Sequence, residues 1–268
     1  QILTKDGIKN IKDVKKGEPV YSFNPVKKKL ELHPVTKTYK YKYDGNLIKI
    51  KTNHVDYLVT PNHRFLLYDK NKKLYWTDAE EMESKFVRGW IPKKPKITGE
   101  LPKYFDIEKK CKELGIKYRA KEGKLQKGPK HSSVPKKVYM DDWLSFLGWY
   151  ISEGHTYISK PKKYPGKVSW RGTTHGITIT QYSKKNKNKI KKVLDRLGFK
   201  YSFQKKAITV SNQIIAEILL KEIGQGSGIK RIPKWAYSLD PKLLKHLYYS
   251  LFKGDGDKDF RRYSTKNP

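Results

Sequence analysis

Two carboxylates in this sequence share the same local setting. Glu153 is followed by Gly154, Asp255 is followed by Gly256, and each pair closes a stretch of apolar residues with helical periodicity. A glycine directly after such a stretch is typical of a helix C-terminus. Each carboxylate is therefore predicted in a last turn, at the negative end of the helix dipole. If the two ends meet, they require a positive partner, and a hard divalent cation such as Mg²⁺ suits convergent carboxylates.

The two helical stretches, 141–154 and 240–254, superimpose at an offset of 102 residues (153 against 255). Gly148 aligns with Ser250, and small residues in the middle of two helices permit close approach of their backbones. Parallel packing through these residues would bring both carboxylates to one point. The alternative is that each acid is a solvated last-turn residue, and the paired occurrence favours convergence.

The overall composition indicates a partner for such a site. The 268 residues include 60 Lys+Arg against 26 Asp+Glu, a formal net charge of +34. Nucleic acid is the commonest partner able to neutralise this charge; the alternative is that the lysine content reflects codon bias or a hot habitat. The single cysteine, Cys111, excludes an internal disulfide and a cysteine-built zinc site. No apolar run approaches the roughly 18 residues of a membrane span, so we expect a soluble, cytoplasmic protein with no membrane partner.

Three parts of the chain differ in pattern. Residues 1–92 contain short β-branched or aromatic runs separated by turn dipeptides, which predicts an all-β domain. Residues 93–140 are rich in Lys, Gly and Pro and are predicted to form a basic linker or a DNA-recognition insertion. Residues 141–268 combine amphipathic helical patterns with strand-like segments, which predicts an α+β domain.

The two helix ends also carry a family resemblance. Leu147-Gly-Trp-Tyr-Ile-Ser-Glu-Gly154 and Tyr249-Ser-Leu-Phe-Lys-Gly-Asp-Gly256 resemble the two motifs of the LAGLIDADG (DOD-type) homing endonucleases. The resemblance implies an αββαββα repeat, sheets that lie in the DNA major groove, and a protein that is monomeric when complete. It also implies cleavage of double-stranded DNA with Mg²⁺ or Mn²⁺ held by Glu153, Asp255 and the backbone carbonyls of Gly154 and Gly256. The family pattern normally has Asp where this sequence has Glu153.

Lys230 resembles the lysine that related enzymes carry shortly before the second motif. The resemblance implies that Lys230 acts in catalysis together with Glu153 and Asp255. The alternative is a plain phosphate contact, with Arg231 and Lys221 as substitutes in the catalytic role.

The strand-like segments are predicted to contact DNA. In the segment 167–181, isoleucines alternate with threonines, so that one face packs on the helices and the other faces a groove. The alternative is an ordinary solvated sheet face. The predicted DNA-binding residues are Arg171, Thr173, His175, Thr178, Thr180, Gln181, Lys205, Lys206 and Arg231.

A second resemblance lies in the N-terminal part. Residues 2–24 resemble the opening of an intein splicing (Hint) domain, and Val59-Thr-Pro-Asn-His-Arg-Phe-Leu66 resembles its TxxH block. The resemblance implies that Thr60 and His63 activate a peptide bond at a splice junction, with the flanking exteins of a host protein as partners. Gln1 has no nucleophilic side chain and no terminal His-Asn is present. We therefore expect a fragment that lacks both splice-junction ends and does not splice.

The predicted fold class is an all-β Hint-like N-terminal domain plus an α+β LAGLIDADG endonuclease domain, whose second αββαββα repeat is truncated. The predicted domains are 1–92, 93–140 and 141–268. The predicted function is that of a site-specific, Mg²⁺-dependent endonuclease encoded within an intein. The alternatives are a catalytically decayed DNA-binding module and a protein-splicing element with an incidental nuclease domain.

Overall fold

The computed structural model describes residues 2–5, 7–27, 29–51, 56–69, 71, 73–82, 96–97, 99–128, 133–159 and 174–257. The chain divides into two compact units, Gln1–Thr98 and Gly99–Pro268. The region from residue 99 to 139, which the sequence predicted within a linker or insertion, belongs to the second unit and contains short strands and a helix.

Short strands build the first unit. Its described strands are β1 (Ile2–Thr4), β2 (Gly7–Lys9), β3 (Pro19–Asn24), β4 (Lys29–Pro34), β5 (Ile48–Lys51), β6 (Asp56–Val59), β7 (Arg64–Tyr68), β8 (Leu74–Asp78) and β9 (Lys96–Ile97). β2, β1, β3, β4 and β9 form one sheet in that order, and β9 runs parallel to β4. β5 pairs with β6, and β7 pairs with β8, both antiparallel. Among the described residues of this unit, only Leu67 and Ala79 are buried hydrophobic residues.

The second unit contains the helices. Its described elements are β10 (Tyr104–Asp106), α1 (Ile107–Glu113), β11 (Arg119–Lys121), β12 (Lys124–Gln126), β13 (Ser133–Pro135), β14 (Lys137–Tyr139), α2 (Met140–Glu153), β15 (Gly154–Ser159), β16 (Thr174–Thr180), α3 (Lys184–Leu197), β17 (Ser202–Phe203), β18 (Ala207–Val210), α4 (Gln213–Glu222) and α5 (Pro241–Asp255). The antiparallel sheets are β10–β14, β11–β12–β13 and β15–β16–β18–β17. Among the described residues, no helix is long and apolar enough to cross a membrane.

α2 lies at the centre of the second unit. It is buried on most of its surface, since Trp143, Phe146, Leu147, Trp149 and Tyr150 are all in the core. α3 covers this core with an apolar stripe at helical spacing, which consists of Ile190, Val193, Leu194 and Leu197. The same core reaches residues of the region before α2, including Phe105, Ile107, Cys111, Leu125 and Val134. The region that precedes α2 is therefore part of the packed unit.

The predicted fold class is wrong. Over the described residues the chain is a mixed α/β protein with five α-helices and several small antiparallel sheets. In the first unit the strands form separate groups, and the β4–β9 pair is parallel. The second unit includes β10 to β14 and α1, which an αββαββα repeat does not contain. Strands of only three residues cannot display a hydrophobic period, and pairs between distant segments leave no local signal.

Candidate functional site

The two motif helices, α2 and α5, pack through small residues. A Cβ atom on Gly148 would lie 2.5 Å from the Leu247 carbonyl oxygen and 2.7 Å from Ser250 Cβ, so the helix backbones touch at this point. Four residues further along each helix, a Cβ atom on Gly254 would overlap the Ser152 side chain. Both contacts advance in the same direction along the two helices. The helices are therefore parallel, and their C-terminal ends lie side by side.

Each helix ends at a glycine because an aromatic residue of the last turn leaves no room for a side chain. A Cβ atom on Gly154 would lie 2.5 Å from Tyr150 Cδ2, and one on Gly256 would lie 2.5 Å from Phe252 Cδ1. The two glycines have φ values of −91° and −88°, and both are extended. This differs from the left-handed conformation that is typical of a glycine after a helix. Glycine is therefore required at both positions because a side chain would collide with the neighbouring ring, and not because the backbone is left-handed.

The carboxylates of Glu153 and Asp255 terminate these adjacent helices. Burial, and then the negative charge of Asp255, raise the pKa of Glu153, while Lys230 acts in the opposite direction. Burial also raises the pKa of Asp255, again against the lowering effect of Lys230. Each carboxylate thus lies in the field of the same ammonium group. The structure brings the three predicted catalytic residues together.

Lys230 lies at the C-terminal end of α2. Its Nζ donates to the carbonyl oxygens of Tyr150 at 3.0 Å, Ile151 at 2.8 Å and Gly154 at 2.7 Å. These carbonyls form the negative end of the helix, where a cation is favoured. Burial lowers the pKa of Lys230, and the two carboxylates oppose that change. One cation is therefore already bound at this helix end.

A turn after α4 positions Lys230. Gly224 and Gly226 have φ values of +92° and +91°, which side chains rarely adopt. The Lys230 amide donates to the Gly226 carbonyl at 3.0 Å, and the Arg231 amide donates to the Ile223 carbonyl at 3.1 Å. The Tyr150 hydroxyl donates to the Gly224 carbonyl at 3.1 Å and fastens the turn to α2.

Gln181 also contacts the acidic pair. Its Nε2 donates to Glu153 Oε1 at 3.4 Å, and its Oε1 accepts from the Ser183 amide at 3.0 Å. The residue is only 7% exposed. The sequence predicted Gln181 as a DNA contact; in the structure its side chain is buried and its amide bonds to Glu153. Gln181 instead orients the carboxylate.

The donor set suits a hard divalent cation. Within the described part of the chain, no group of three or more Asp, Glu, His or Cys side chains is arranged to hold a metal ion. Two carboxylates with carbonyl oxygens nevertheless match Mg²⁺, which usually binds through one or two carboxylates and keeps several waters. The Gly154 carbonyl, a predicted ligand, already binds an ammonium group. The two carboxylates therefore fit the predicted metal, whereas the Gly154 carbonyl is occupied by Lys230.

The predicted DNA-facing strand corresponds to β16. Ile177 and Ile179 are fully buried, and they place the core on one side of the strand. Successive side chains alternate between the faces of a strand, so His175 lies on the same side as these isoleucines. His175, a predicted DNA contact, therefore lies on the core side of β16, opposite to the face of Thr178 and Thr180.

Thr178 and Thr180 lie on the opposite face of β16 and are half-buried. Thr178 pairs with residues on both neighbouring strands, and the register continues to β17. The result is a row of polar side chains across the sheet, formed by His155, Thr178, Thr209 and Ser202. The sequence pattern did not reveal this row. The predicted contacts Arg171 and Thr173 lie outside the described residues.

The remaining predicted DNA contacts lie in exposed turns. Lys205 and Lys206 are exposed between β17 and β18, and the Lys205 carbonyl accepts from Lys187 Nζ at 2.9 Å. Arg231 is exposed next to Lys230. Lys221, the predicted substitute for Lys230, instead donates to the Leu114 carbonyl at 2.6 Å.

Thr60 and His63 lie in the turn between β6 and β7 of the first unit. The Thr60 hydroxyl donates to Asn62 Oδ1 at 2.7 Å, and the His63 amide donates to the Thr60 carbonyl at 2.9 Å. The His63 imidazole packs edge-on against the Phe65 ring, with centroids 4.9 Å apart. The turn is therefore held by its own side chains and backbone.

Comparison with known proteins gives distant relatives. No family model matches the chain. It is similar to the ATP-dependent Clp protease proteolytic subunit of Chlamydomonas moewusii, with 26% identity over 95% of this chain and 24% of that protein. It is also similar to the DNA-directed RNA polymerase subunit Rpo1C of Methanocaldococcus jannaschii, with 23% identity over 81% of this chain and 24% of that subunit. A third relative is the DNA-directed RNA polymerase subunit beta C-terminal section of Stigeoclonium helveticum, with 25% identity over 76% of this chain and 18% of that protein. The chain thus spans about a quarter or less of each relative.

Proposed function

We propose that this chain is part of a LAGLIDADG-type endonuclease that hydrolyses phosphodiester bonds of specific double-stranded DNA sites with a divalent metal ion. The observation that carries the proposal is the parallel packing of α2 and α5, which places Glu153 and Asp255 side by side within the field of Lys230. The proposal rests on this geometry and on the two motifs, and it is independent of the fold class that the sequence predicted.

The residues of the site have separable roles in such a reaction. Mg²⁺ or Mn²⁺, when held by the two carboxylates and the Gly256 carbonyl, would supply charge neutralisation and an acidified water. Gln181 fixes the orientation of the Glu153 carboxylate. Lys230 carries a positive charge close to the carboxylates, where a scissile phosphate would also lie, and its lowered pKa favours release of a proton to a departing oxygen.

Duplex DNA suits the surface and charge of the protein. The formal charge of +34 attracts a phosphate backbone, and the outer face of the β15–β18 sheet offers hydroxyl and imidazole groups that can bond to base edges. Thr178 and Thr180 lie on this face, while Lys205, Lys206 and Arg231 are exposed for phosphate contacts. In this proposal the threonines contact the DNA bases and the exposed basic residues contact the DNA phosphates, all within the second unit.

The named relatives support an inserted element. The same chain matches a protease subunit and RNA polymerase subunits, whose names describe unrelated activities, and it covers a quarter or less of each. An element carried inside different host proteins would produce this pattern. The intein resemblance of Thr60 and His63 is consistent with it, and the flanking exteins would be the partners of the first unit. In this role the protein would act in the cytoplasm with its host.

The test is a cleavage assay of the full-length protein that contains this chain, on a library of duplex DNA targets with and without Mg²⁺. We expect discrete double-strand cuts that require Mg²⁺ and are lost in Glu153→Gln and in Asp255→Asn, because each change removes a metal ligand. Glu113→Gln, which alters an exposed acid of α1 outside the site, is the matched control and should cut normally.

DNA binding is measured in parallel, and it separates the alternatives. Unchanged binding in both site variants is expected, since neither carboxylate contacts phosphate without the metal. Tight binding without any Mg²⁺-dependent cut in the unaltered protein would instead identify a decayed DNA-binding module. Cuts that persist in both variants would place the active site elsewhere.

A further inference from the structure

A segment of the first unit exposes aromatic and basic side chains together. Residues 36–47, here called the Tyr-Lys segment, lie between β4 and β5 and are exposed throughout. Its three tyrosines are Tyr39, Tyr41 and Tyr43, with exposed fractions of 64%, 79% and 48%. Single exposed aromatic residues are common on protein surfaces, whereas a contiguous exposed group marks an interaction site.

The tyrosines and lysines of the Tyr-Lys segment alternate. The order Lys37-Thr-Tyr-Lys-Tyr-Lys-Tyr43 places an aromatic ring at every second residue and lysines at 40 and 42 between them. The Tyr39 and Tyr41 rings stack, with centroids 5.9 Å apart and planes inclined by 13°. Lys37 Nζ lies 4.9 Å from the centroid of the Tyr39 ring. The segment therefore presents two stacked rings with the Lys37 ammonium group against one of them, and Lys40 and Lys42 are exposed at neighbouring positions of the chain.

Tyr43 has a different role from the other two tyrosines. Its hydroxyl donates to the Asn46 carbonyl at 3.1 Å, and a Cβ atom on Gly45 would lie 2.9 Å from the same hydroxyl. Tyr43 thus folds back over the turn and anchors the end of the Tyr-Lys segment. Among the described residues, Tyr41 stacks on Tyr39 and on no other ring. Tyr41 is therefore the ring with the most surface available to a partner.

Two stacked rings with exposed lysines at neighbouring positions of the chain match one partner chemistry best. Unpaired nucleic-acid bases stack on aromatic side chains whatever their sequence, and the neighbouring phosphates bind lysine. Duplex bases are already stacked on each other and offer no free face to Tyr41. An acidic peptide would satisfy the lysines but leave the stacked rings without a partner.

We propose that the Tyr-Lys segment binds single-stranded nucleic acid, with bases stacked on Tyr41 and Tyr39 and phosphates at Lys40 and Lys42. This binding site lies in the first unit, whereas the metal-binding carboxylates lie in the second. It needs no metal ion and does not depend on the proposed cleavage.

The test measures fluorescence anisotropy of labelled oligonucleotides in EDTA, which removes any contribution from metal. The probes are oligo(dT), an abasic oligomer of the same length, and a duplex of the same length. The site predicts that the protein binds oligo(dT) at least tenfold more tightly than the abasic oligomer, because stacking needs bases and phosphate contacts do not.

The variant is Tyr39→Leu combined with Tyr41→Leu, which keeps apolar bulk but removes the flat rings. We expect it to lose the tenfold preference for oligo(dT) while its binding of the abasic oligomer stays unchanged. The matched control is Tyr75→Leu, which alters another exposed tyrosine of the same unit and should keep the preference. Lys40→Gln combined with Lys42→Gln should weaken both single strands equally and reduce the salt dependence.

Three results would overturn the proposal. They are equal binding of oligo(dT) and the abasic oligomer by the unaltered protein, an unchanged preference in the double tyrosine variant, and binding of poly-glutamate as tight as that of oligo(dT) at equal charge. None of them bears on the cleavage assay, so failure of this proposal is distinguishable from failure of the proposed endonuclease activity.

Discussion

The substitution Gly148→Val tests the helix contact on which the site depends. A Cβ atom at this position would lie 2.5 Å from the Leu247 carbonyl oxygen, 2.7 Å from Ser250 Cβ and 2.9 Å from the Leu251 amide nitrogen. Ordinary contact begins at 3.4 Å, so the two helices must separate by about 0.9 Å (3.4 minus 2.5) even for the first carbon atom. Two of these neighbours are backbone atoms, which cannot rotate away.

The expected cost follows from two opposing effects. Overpacking a tight contact destabilises a protein by roughly 1–3 kcal/mol. Because valine adds two methyl groups beyond Cβ, we expect the cost of Gly148→Val to lie at the upper end of this range. Valine is a better helix former than glycine by only about 0.3 kcal/mol. Overpacking therefore dominates, and we expect a loss of about 2–3 kcal/mol. For a unit of this size the melting temperature should fall by about 4–12 °C.

The same separation of the helices should affect chemistry. A shift of about 1 Å between groups that act together can reduce a rate by about a hundredfold. We therefore expect Gly148→Val to cut DNA far more slowly while it still binds DNA.

Urea unfolding followed by tryptophan fluorescence measures the stability, because the buried Trp143 and Trp149 lie in α2 itself. The matched control is Gly228→Val, since no atom lies within 4 Å of a Cβ at Gly228, and it should change stability by less than about 0.5 kcal/mol. A loss below about 0.5 kcal/mol in Gly148→Val would refute the close packing of α2 against α5.

Three further results are expected. Lys230→Met should destabilise the second unit by about 2 kcal/mol, because it leaves three carbonyls without their donor and removes the positive charge near two carboxylates. Lys221→Met, which removes one exposed contact, should have little effect in the same unfolding assay. Because the pKa of Glu153 is raised in the folded state, ionised Glu153 lowers the free energy of unfolding. Without metal, Glu153→Gln should therefore be more stable than the unaltered protein at neutral pH. Unfolding curves should show that this difference in stability vanishes as the pH falls below about 4.3, where Glu153 is protonated in both states. Duplex binding should weaken by roughly 10³ or more between 50 and 200 mM salt if six or more phosphates are neutralised, and a flat salt response in filter binding would argue against a phosphate interface.

The helix ends could be predicted from the sequence because their signals are local. The small residues Gly148 and Ser250 and the glycines at 154 and 256 occupy equivalent positions in two apolar helical stretches. The sequence could not show why those glycines are needed, since the rings that exclude a side chain contact them only in the folded helix.

The sheet face was predicted less well, although part of the signal was present. His175 is two residues before Ile177, and Gln181 is two residues after Ile179, so strict alternation already assigns both to the core side. The contact between Gln181 and Glu153 joins residues 28 positions apart (181 minus 153), and no local pattern encodes it. The row that includes Thr178 and Thr209 likewise depends on strand register, which the sequence alone does not define.

The packing of the region before α2 could not be predicted, because the composition of this region hides it. Between residues 99 and 139, isolated apolar side chains such as Ile107, Leu125 and Val134 reach the core from short elements rich in lysine. One buried residue in a short strand such as β12 or β13 is enough for packing but too few for a periodic signal.

Metal binding at the two helix ends tests the central claim most directly. Free Mn²⁺ would be titrated into the protein without DNA and followed by electron paramagnetic resonance, with Asp255→Asn, Glu153→Gln and the control Glu113→Gln in parallel. We predict that the unaltered protein and Glu113→Gln bind Mn²⁺ equally, and that each site variant binds at least tenfold more weakly. Equal Mn²⁺ affinity in all four proteins would contradict the assignment of Glu153 and Asp255 as metal ligands.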